Sequence, residues 1–178
     1  MLHLKKKLSL FFLLLLSFNL HANTFEKLTS FQADFSQTIT NPSGTKAYYK
    51  GLISIQEPNQ IKWQYLDPFE KYVYIKKNTV TIIEPELEQV IITKLDKEIN
   101  IINLLKNAIK KSTNTYISNY NNVKYTLLLN DNKLKEISYI DEIENNVLIS
   151  FQNIQQNQKI DTKNFKFHIP LEYDIIKK

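Results

Sequence analysis

Only one histidine, His168, lies beyond residue 22, so any Ser-His-Asp relay in this chain would depend on that single side chain. No G-x-S-x-G turn is present to offer a serine to it. A lone histidine in a strand near the C-terminus reads as structural, and an esterase acting through His168 ranks third among the readings. Glu84, Glu86 and Glu88 surround Pro85 and offer the carboxylate pair that glycoside hydrolysis needs, but they sit at a strand end and read as solvated. Cysteine is absent, which removes thiolate chemistry, disulfides and a lipid-modified cysteine; without cysteines or paired histidines there is no zinc set either. The two isolated glycines, Gly44 and Gly51, cannot build a phosphate-cradling loop. The chain therefore reads as a protein that is not an enzyme, with no catalytic residue, metal or cofactor.

The elements that would position any site begin after a leader. Lys5, Lys6 and Lys7 precede an apolar run from Leu8 to Leu16 and a small residue at Ala22, the pattern of a signal peptide over residues 1–22. The run is far shorter than the roughly 20 residues a spanning helix requires. Export without a lipidated cysteine points to the periplasm, with residues 23–178 as one domain. Loss of the leader lowers the lysine count from 23 to 20 against 18 acidic residues, so the formal charge falls from +5 to +2. That balance gives no argument for a nucleic-acid partner.

Gly51 to Pro68 reads GLISIQEPNQIKWQYLDP: a strand, a Pro-Asn corner and an aromatic strand that ends at a second proline. Before it, Phe31, Ala33, Phe35, Gln37 and Ile39 alternate with polar residues, which predicts a half-buried strand from Ser30. Asn41-Pro42-Ser43-Gly44 predicts a turn. Strands are expected over Thr45 to Gln56, Gln60 to Leu66, Lys71 to Lys76, Val80 to Ile83 and Glu88 to Lys94. In the second half, Asn121-Asn122, Asn130-Asp131-Asn132 and Asn145-Asn146 each separate β-rich runs, asparagine and aspartate supplying the positive φ of tight hairpins. Two helices interrupt the pattern. Asn23 and Glu26 resemble a capping box for a short one carrying Phe25 and Leu28. Asn100 to Lys111 separates at 100° per residue into an arc with Ile101, Ile102, Leu104, Leu105, Ala108 and Ile109 and a polar arc with the lysines. The sum is a curved antiparallel sheet with short helices to cover one face.

Several strings recur together in one family. Ser30-Phe31-Gln32-Ala33-Asp34-Phe35-Ser36-Gln37, Gly51, Glu57-Pro58-Asn59-Gln60-Ile61-Lys62-Trp63, Asp67-Pro68 and Glu84-Pro85 with Gln89 are followed by Phe151, Asn157, Ile160-Asp161, Phe165-Lys166-Phe167 and Ile169-Pro170. In this order they resemble the periplasmic outer-membrane lipoprotein carrier family, LolA. The resemblance implies an incomplete, open antiparallel β-barrel with an α-helical lid over an apolar concave face. It also implies a monomeric carrier that takes triacylated lipoproteins from an inner-membrane ABC-type transporter to an outer-membrane acceptor. Phe35, Ile61 and Trp63 are then the expected cavity residues, and Ile101, Leu104 and Leu105 the lid contacts. Where the family commonly has an arginine latch the chain has Glu57, and it has no arginine at all. A carboxylate accepts where guanidinium donates, so Glu57 is expected to accept from Asn103 or Lys106, or packing alone holds the lid. Two other readings use the same scaffold: a carrier of another acylated or glycolipid cargo, and a periplasmic regulatory half-barrel that binds protein partners.

Overall fold

The computed structural model describes residues 25, 27–58, 60–94 and 101–178. The expected leader, and Asn23 and Glu26 of the expected capping box, lie outside the described residues; Phe25 and Leu28, expected in that helix, are buried, and the Leu28 amide donates to the Phe25 carbonyl at 2.9 Å in a turn. Strands β1 (Ser30–Thr40), β2 (Lys46–Gln56), β3 (Gln60–Asp67), β4 (Lys71–Lys76), β5 (Thr79–Glu84) and β6 (Gln89–Lys94) form a meander. A short helix α1 (Ile101–Lys106) and a two-residue strand β7 (Ile109–Lys110) lead into a second meander. It comprises β8 (Thr115–Tyr120), β9 (Val123–Asn130), β10 (Lys133–Ile140) and β11 (Asn146–Gln156), and the chain closes with β12 (Asp174–Lys177). All strands belong to one sheet in the order β12-β6-β5-β4-β3-β2-β1-β11-β10-β9-β8-β7. β12 runs parallel to β6 and every other neighbouring pair is antiparallel. The edge strands β12 and β7 do not meet, so the sheet is open.

Alternation decides which face is apolar. Phe31, Ala33, Phe35 and Gln37 of β1 are buried as expected, and pairing with β11 and β2 brings Phe151, Ile149, Ile55 and Ile53 to the same side. The hairpins carry the residues the turns need: Asn121 and Asn122 at φ 48° and 63°, Asp131 and Asn132 at 49° and 58°. At the β10–β11 turn the positive φ falls on Glu144 (63°), inside a loop that Asp141 holds by accepting from the Ile143 and Asn145 amides. The Asn145-Asn146 pair expected to make that turn does not; Asn146 already belongs to β11.

Asn100 lies outside the described residues, and among those described the helix expected to run to Lys111 spans Ile101–Lys106. The Ala108 amide closes onto the Leu105 carbonyl at 3.1 Å, and the chain then leaves to pair Ile109 with Ile117 and Lys110 with Tyr116. Pairing satisfies the free edge of β8, which a continued helix would leave bare. The apolar arc holds at Ile102, Leu104, Leu105 and Ala108, but Ile109 turns outward and is 65% exposed. The expected helical lid is not confirmed: among the described residues a six-residue helix packs against β8.

Between β11 and β12 the chain crosses the outer face. Asn164 Nδ2 donates to Ser54 Oγ at 2.8 Å, Phe167 packs on Tyr74 at 4.8 Å, and Ile169 and Tyr173 join Tyr74, Ile83 and Val90 in a second small core. His168 lies on this crossing, exposed and outside any strand, unlike the strand position read from sequence.

Candidate functional site

α1 shows how strongly the sheet curls. It packs against β8, while Lys106 Nζ donates to Glu57 Oε1 at 2.6 Å at the β2–β3 corner. In a flat sheet the five strand spacings from β2 to β8 amount to roughly 24 Å, whereas a six-residue helix is about 9 Å long. Only a curved sheet allows one short helix to reach both. Register shifts in β1–β11 at Gln32/Asp34, in β2–β3 at Lys50/Gly51 and in β9–β10 at Leu134/Glu136 supply bends.

The concave face has two zones. At the end that holds α1 it is filled: Phe25, Phe31, Ile102, Leu105, Leu127 and Leu134 are at most 1% exposed, and the Phe25 ring meets Tyr116 edge-on at 6.1 Å. At the opposite end it opens between aromatic walls. Phe35 sits edge-on to Trp63 at 4.9 Å and to Tyr65 at 5.3 Å, Tyr49 meets Tyr65 at 5.9 Å, and across the trough Tyr125 and Tyr139 lie 4.9 Å apart. Trp63, Tyr65, Tyr125 and Tyr139 are half-buried. Burial pushes the Tyr139 hydroxyl up to about 12, with Tyr125 and then Tyr65 adding to it. That Tyr65 on β3 acts on Tyr139 on β10 shows the two walls facing each other. Burial likewise raises Tyr65 and Tyr125, so all three stay neutral at physiological pH. Among the residues of this trough, Gln37 is a buried polar side chain; its Oε1 accepts from the Tyr65 hydroxyl at 3.4 Å.

Gly51 makes the tight approach possible. A Cβ there would stand 1.9 Å from the Gln64 carbonyl oxygen and 2.9 Å from Phe35 Cε1, so the Phe35 ring lies over bare backbone. Of the residues read from sequence, Phe35 and Ile61 (3% and 2% exposed) and Leu104 and Leu105 (7% and 0%) join one core, with half-buried Trp63 against it. Ile101 contributes its backbone to α1. Glu57 meets Lys106 directly. Tyr49, Tyr65, Tyr125 and Tyr139 were missed. For Tyr65 the signal was present, since Ile61, Trp63 and Tyr65 alternate on one face of β3.

The arrangement suits sequestration. It is an apolar concave face, filled at one end and lined by neutral phenols at the other. Of the carboxylates offered for hydrolysis, Glu86 and Glu88 are exposed and Glu84 accepts from Gln89 Nε2 at 2.6 Å; Glu84 and Glu86 line a small cavity beside Tyr49 and Tyr65. Among the described residues no group of three or more His, Cys, Asp or Glu could hold a metal ion.

Comparison with known proteins agrees with this geometry. The profile of the family described as outer membrane lipoprotein carrier protein LolA matches residues 26–133. An outer-membrane lipoprotein carrier protein of Campylobacter jejuni is 36% identical over 98% of this chain and 100% of its own length. One from Helicobacter hepaticus is 32% identical over 85% of each. In fold, a conserved protein from Thermus thermophilus superposes with a TM-score of 0.54 at 9% identity, covering 88% of this chain and 95% of its own.

Proposed function

Since the chain belongs to the LolA family of outer membrane lipoprotein carriers, we propose that it carries lipoproteins by burying their acyl chains against the aromatic walls of its concave face. The observation behind this reading is the half-open trough in which Phe35, Trp63 and Tyr65 face Tyr125 and Tyr139. An acyl chain moved from water into such a surface gains about 0.8 kcal/mol per methylene. Contacts without directional bonds let the chain slide in and out, which suits a cargo that must be surrendered.

Ile102, Leu104 and Leu105 of α1 are buried in one core with Phe35 and Ile61, so cargo and α1 compete for one apolar surface. Uptake then requires α1 to withdraw, and the Glu57–Lys106 ion pair is the polar tether that withdrawal breaks. The route we infer runs through the periplasm after removal of residues 1–22, from an inner-membrane ABC-type transporter to an outer-membrane acceptor, with the carrier a monomer and without catalysis. The test is to incubate residues 23–178 with spheroplasts that synthesise an outer-membrane lipoprotein. The expected result is triacylated protein in the soluble fraction, bound to the carrier. No release from competent spheroplasts of the native host would redirect the reading to another acylated cargo.

A further inference from the structure

Gln37 breaks the apolar pattern of the concave face. It follows Phe31, Ala33 and Phe35 on the inward side of β1, is 9% exposed, and stands where alternation would place an apolar residue. Its strand partners are Tyr49 on β2 and Ile149 on β11, and the next inward residue toward the open end is Ile39. The amide oxygen accepts from the Tyr65 hydroxyl at 3.4 Å. The amide nitrogen has two protons to give and meets no acceptor among the described residues. Nor is it sealed in packed side chains, because among the described residues Gln56 Oε1 is the fully enclosed atom without a partner. A donor withdrawn from water and left unpaired costs stability. Gln37 therefore has the form of half a binding site, with its oxygen anchored by Tyr65 and its nitrogen open to an incoming acceptor.

The surroundings say what that acceptor is. Phe35, Tyr49, Tyr65 and Ile149 put aromatic and aliphatic surface around the amide, so the occupant is largely hydrocarbon. Within it the donor selects an oxygen, and a neutral carbonyl enters such a surface at lower desolvation cost than a carboxylate. Depth agrees with this. Tyr139 lies level with Ile39 through Val147, one alternation nearer the open end, and Trp63 lies level with Ala33, two alternations farther in. One alternation is about 7 Å along a strand, so a carbonyl at Gln37 leaves its head group toward the opening and its methylenes against Phe35 and Trp63. We propose that Gln37 is a specificity-determining residue of the acyl site, its Nε2 donating to the ester carbonyl that joins a fatty chain to its head group, with Tyr65 as the residue that positions it. The inference rests on the carrier reading and deepens it: the site reads the acyl linkage as well as the hydrocarbon. One hydrogen bond to a neutral carbonyl, which water can replace, still leaves the cargo free to depart.

The test uses two synthetic lipopeptides of one peptide and one chain length, a diacyl ester and the dialkyl ether that lacks its carbonyls. Each is titrated into the unaltered mature chain, Gln37→Leu and Gln37→Met, and binding is read from the fluorescence of Trp63, the single tryptophan of the chain. The expected result is about fivefold tighter binding of the ester than of the ether by the unaltered chain, and near-equal binding of the two by both variants. Ether affinity within about twofold throughout would report an intact trough. An isotope-labelled ester carbonyl should also absorb at lower infrared frequency on the unaltered chain than on either variant, a signature that altered packing alone would not produce. Equal affinity of the unaltered chain for ester and ether, or a preference that survives in both variants, overturns the proposal and leaves the carrier reading standing; survival would assign the carbonyl to Tyr139. Binding of neither lipopeptide by the unaltered chain would sink the carrier reading and the role of Gln37 with it.

Discussion

A methyl group added at Gly51 would collide with the Gln64 carbonyl oxygen, which is backbone and cannot swing aside. Gly51→Ala is expected to cost about 3 kcal/mol of stability, read as a lower Tm; an unchanged Tm would show that the β2–β3 bulge adapts freely. The Glu57–Lys106 pair is a different kind of contact. Both side chains keep close to a third of their surface exposed, so the pair contributes at most about 1 kcal/mol. Glu57→Gln is therefore expected to speed acyl-cargo exchange by up to about fivefold, and unaltered uptake and release would remove Glu57 from the mechanism. Tyr139 gives a pH prediction. Its hydroxyl titrates near 12 in the folded protein and near 10 when unfolded. The native state thus binds more protons between those values, and stability falls as pH rises through that window while staying flat with respect to this group below it. Melting at pH 9 and 11 should show the loss, and Tyr139→Phe should reduce it.

The strands were legible because their residues obey one local rule. Phe31 to Ile39 alternate without a break, and Lys71 to Lys76 coincides with β4. α1 was legible in its face and not in its length. The 100° arc extends through Ile109, but the unpaired edge of β8, which captures Ile109 and Lys110, lies several residues away and leaves no trace in the helical period. β12 went unread for a like reason: Asp174–Lys177 pairs parallel to β6, a partner some 85 residues upstream. A helix this short cannot sustain itself outside the fold. Its amides, Ile102 to Lys106, are expected to exchange with solvent far faster than those at the centres of β1 and β11, where strands pair on both sides. Equal protection would mean α1 is as fixed as the sheet and cannot yield to cargo. Leu105, fully buried, is the anchor. Leu105→Ala should lower stability by about 2–5 kcal/mol, measured by denaturant unfolding.

At the scale of the whole molecule, the open sheet gives the carrier two unlike ends: a filled, lysine-rich one under α1 and an acidic, apolar-tipped one around the aromatic mouth. The sequence displayed the carboxylates around Leu87 and Ile143 but not that they share an end, because that follows only from the strand order. The same order brings Trp63 and Tyr65 opposite Tyr125 and Tyr139, residues 60 to 76 positions apart in the chain. The account stands or falls on whether acyl chains lie between those walls. The most direct measurement is photo-crosslinking of the soluble complex with a lipoprotein whose acyl chains carry a diazirine, followed by mapping of the adducts by mass spectrometry. Adducts at Phe35, Trp63, Tyr65 and Tyr139 are expected. Adducts confined to the outer face, at Leu52, Leu128 or Leu148, would contradict burial in the trough.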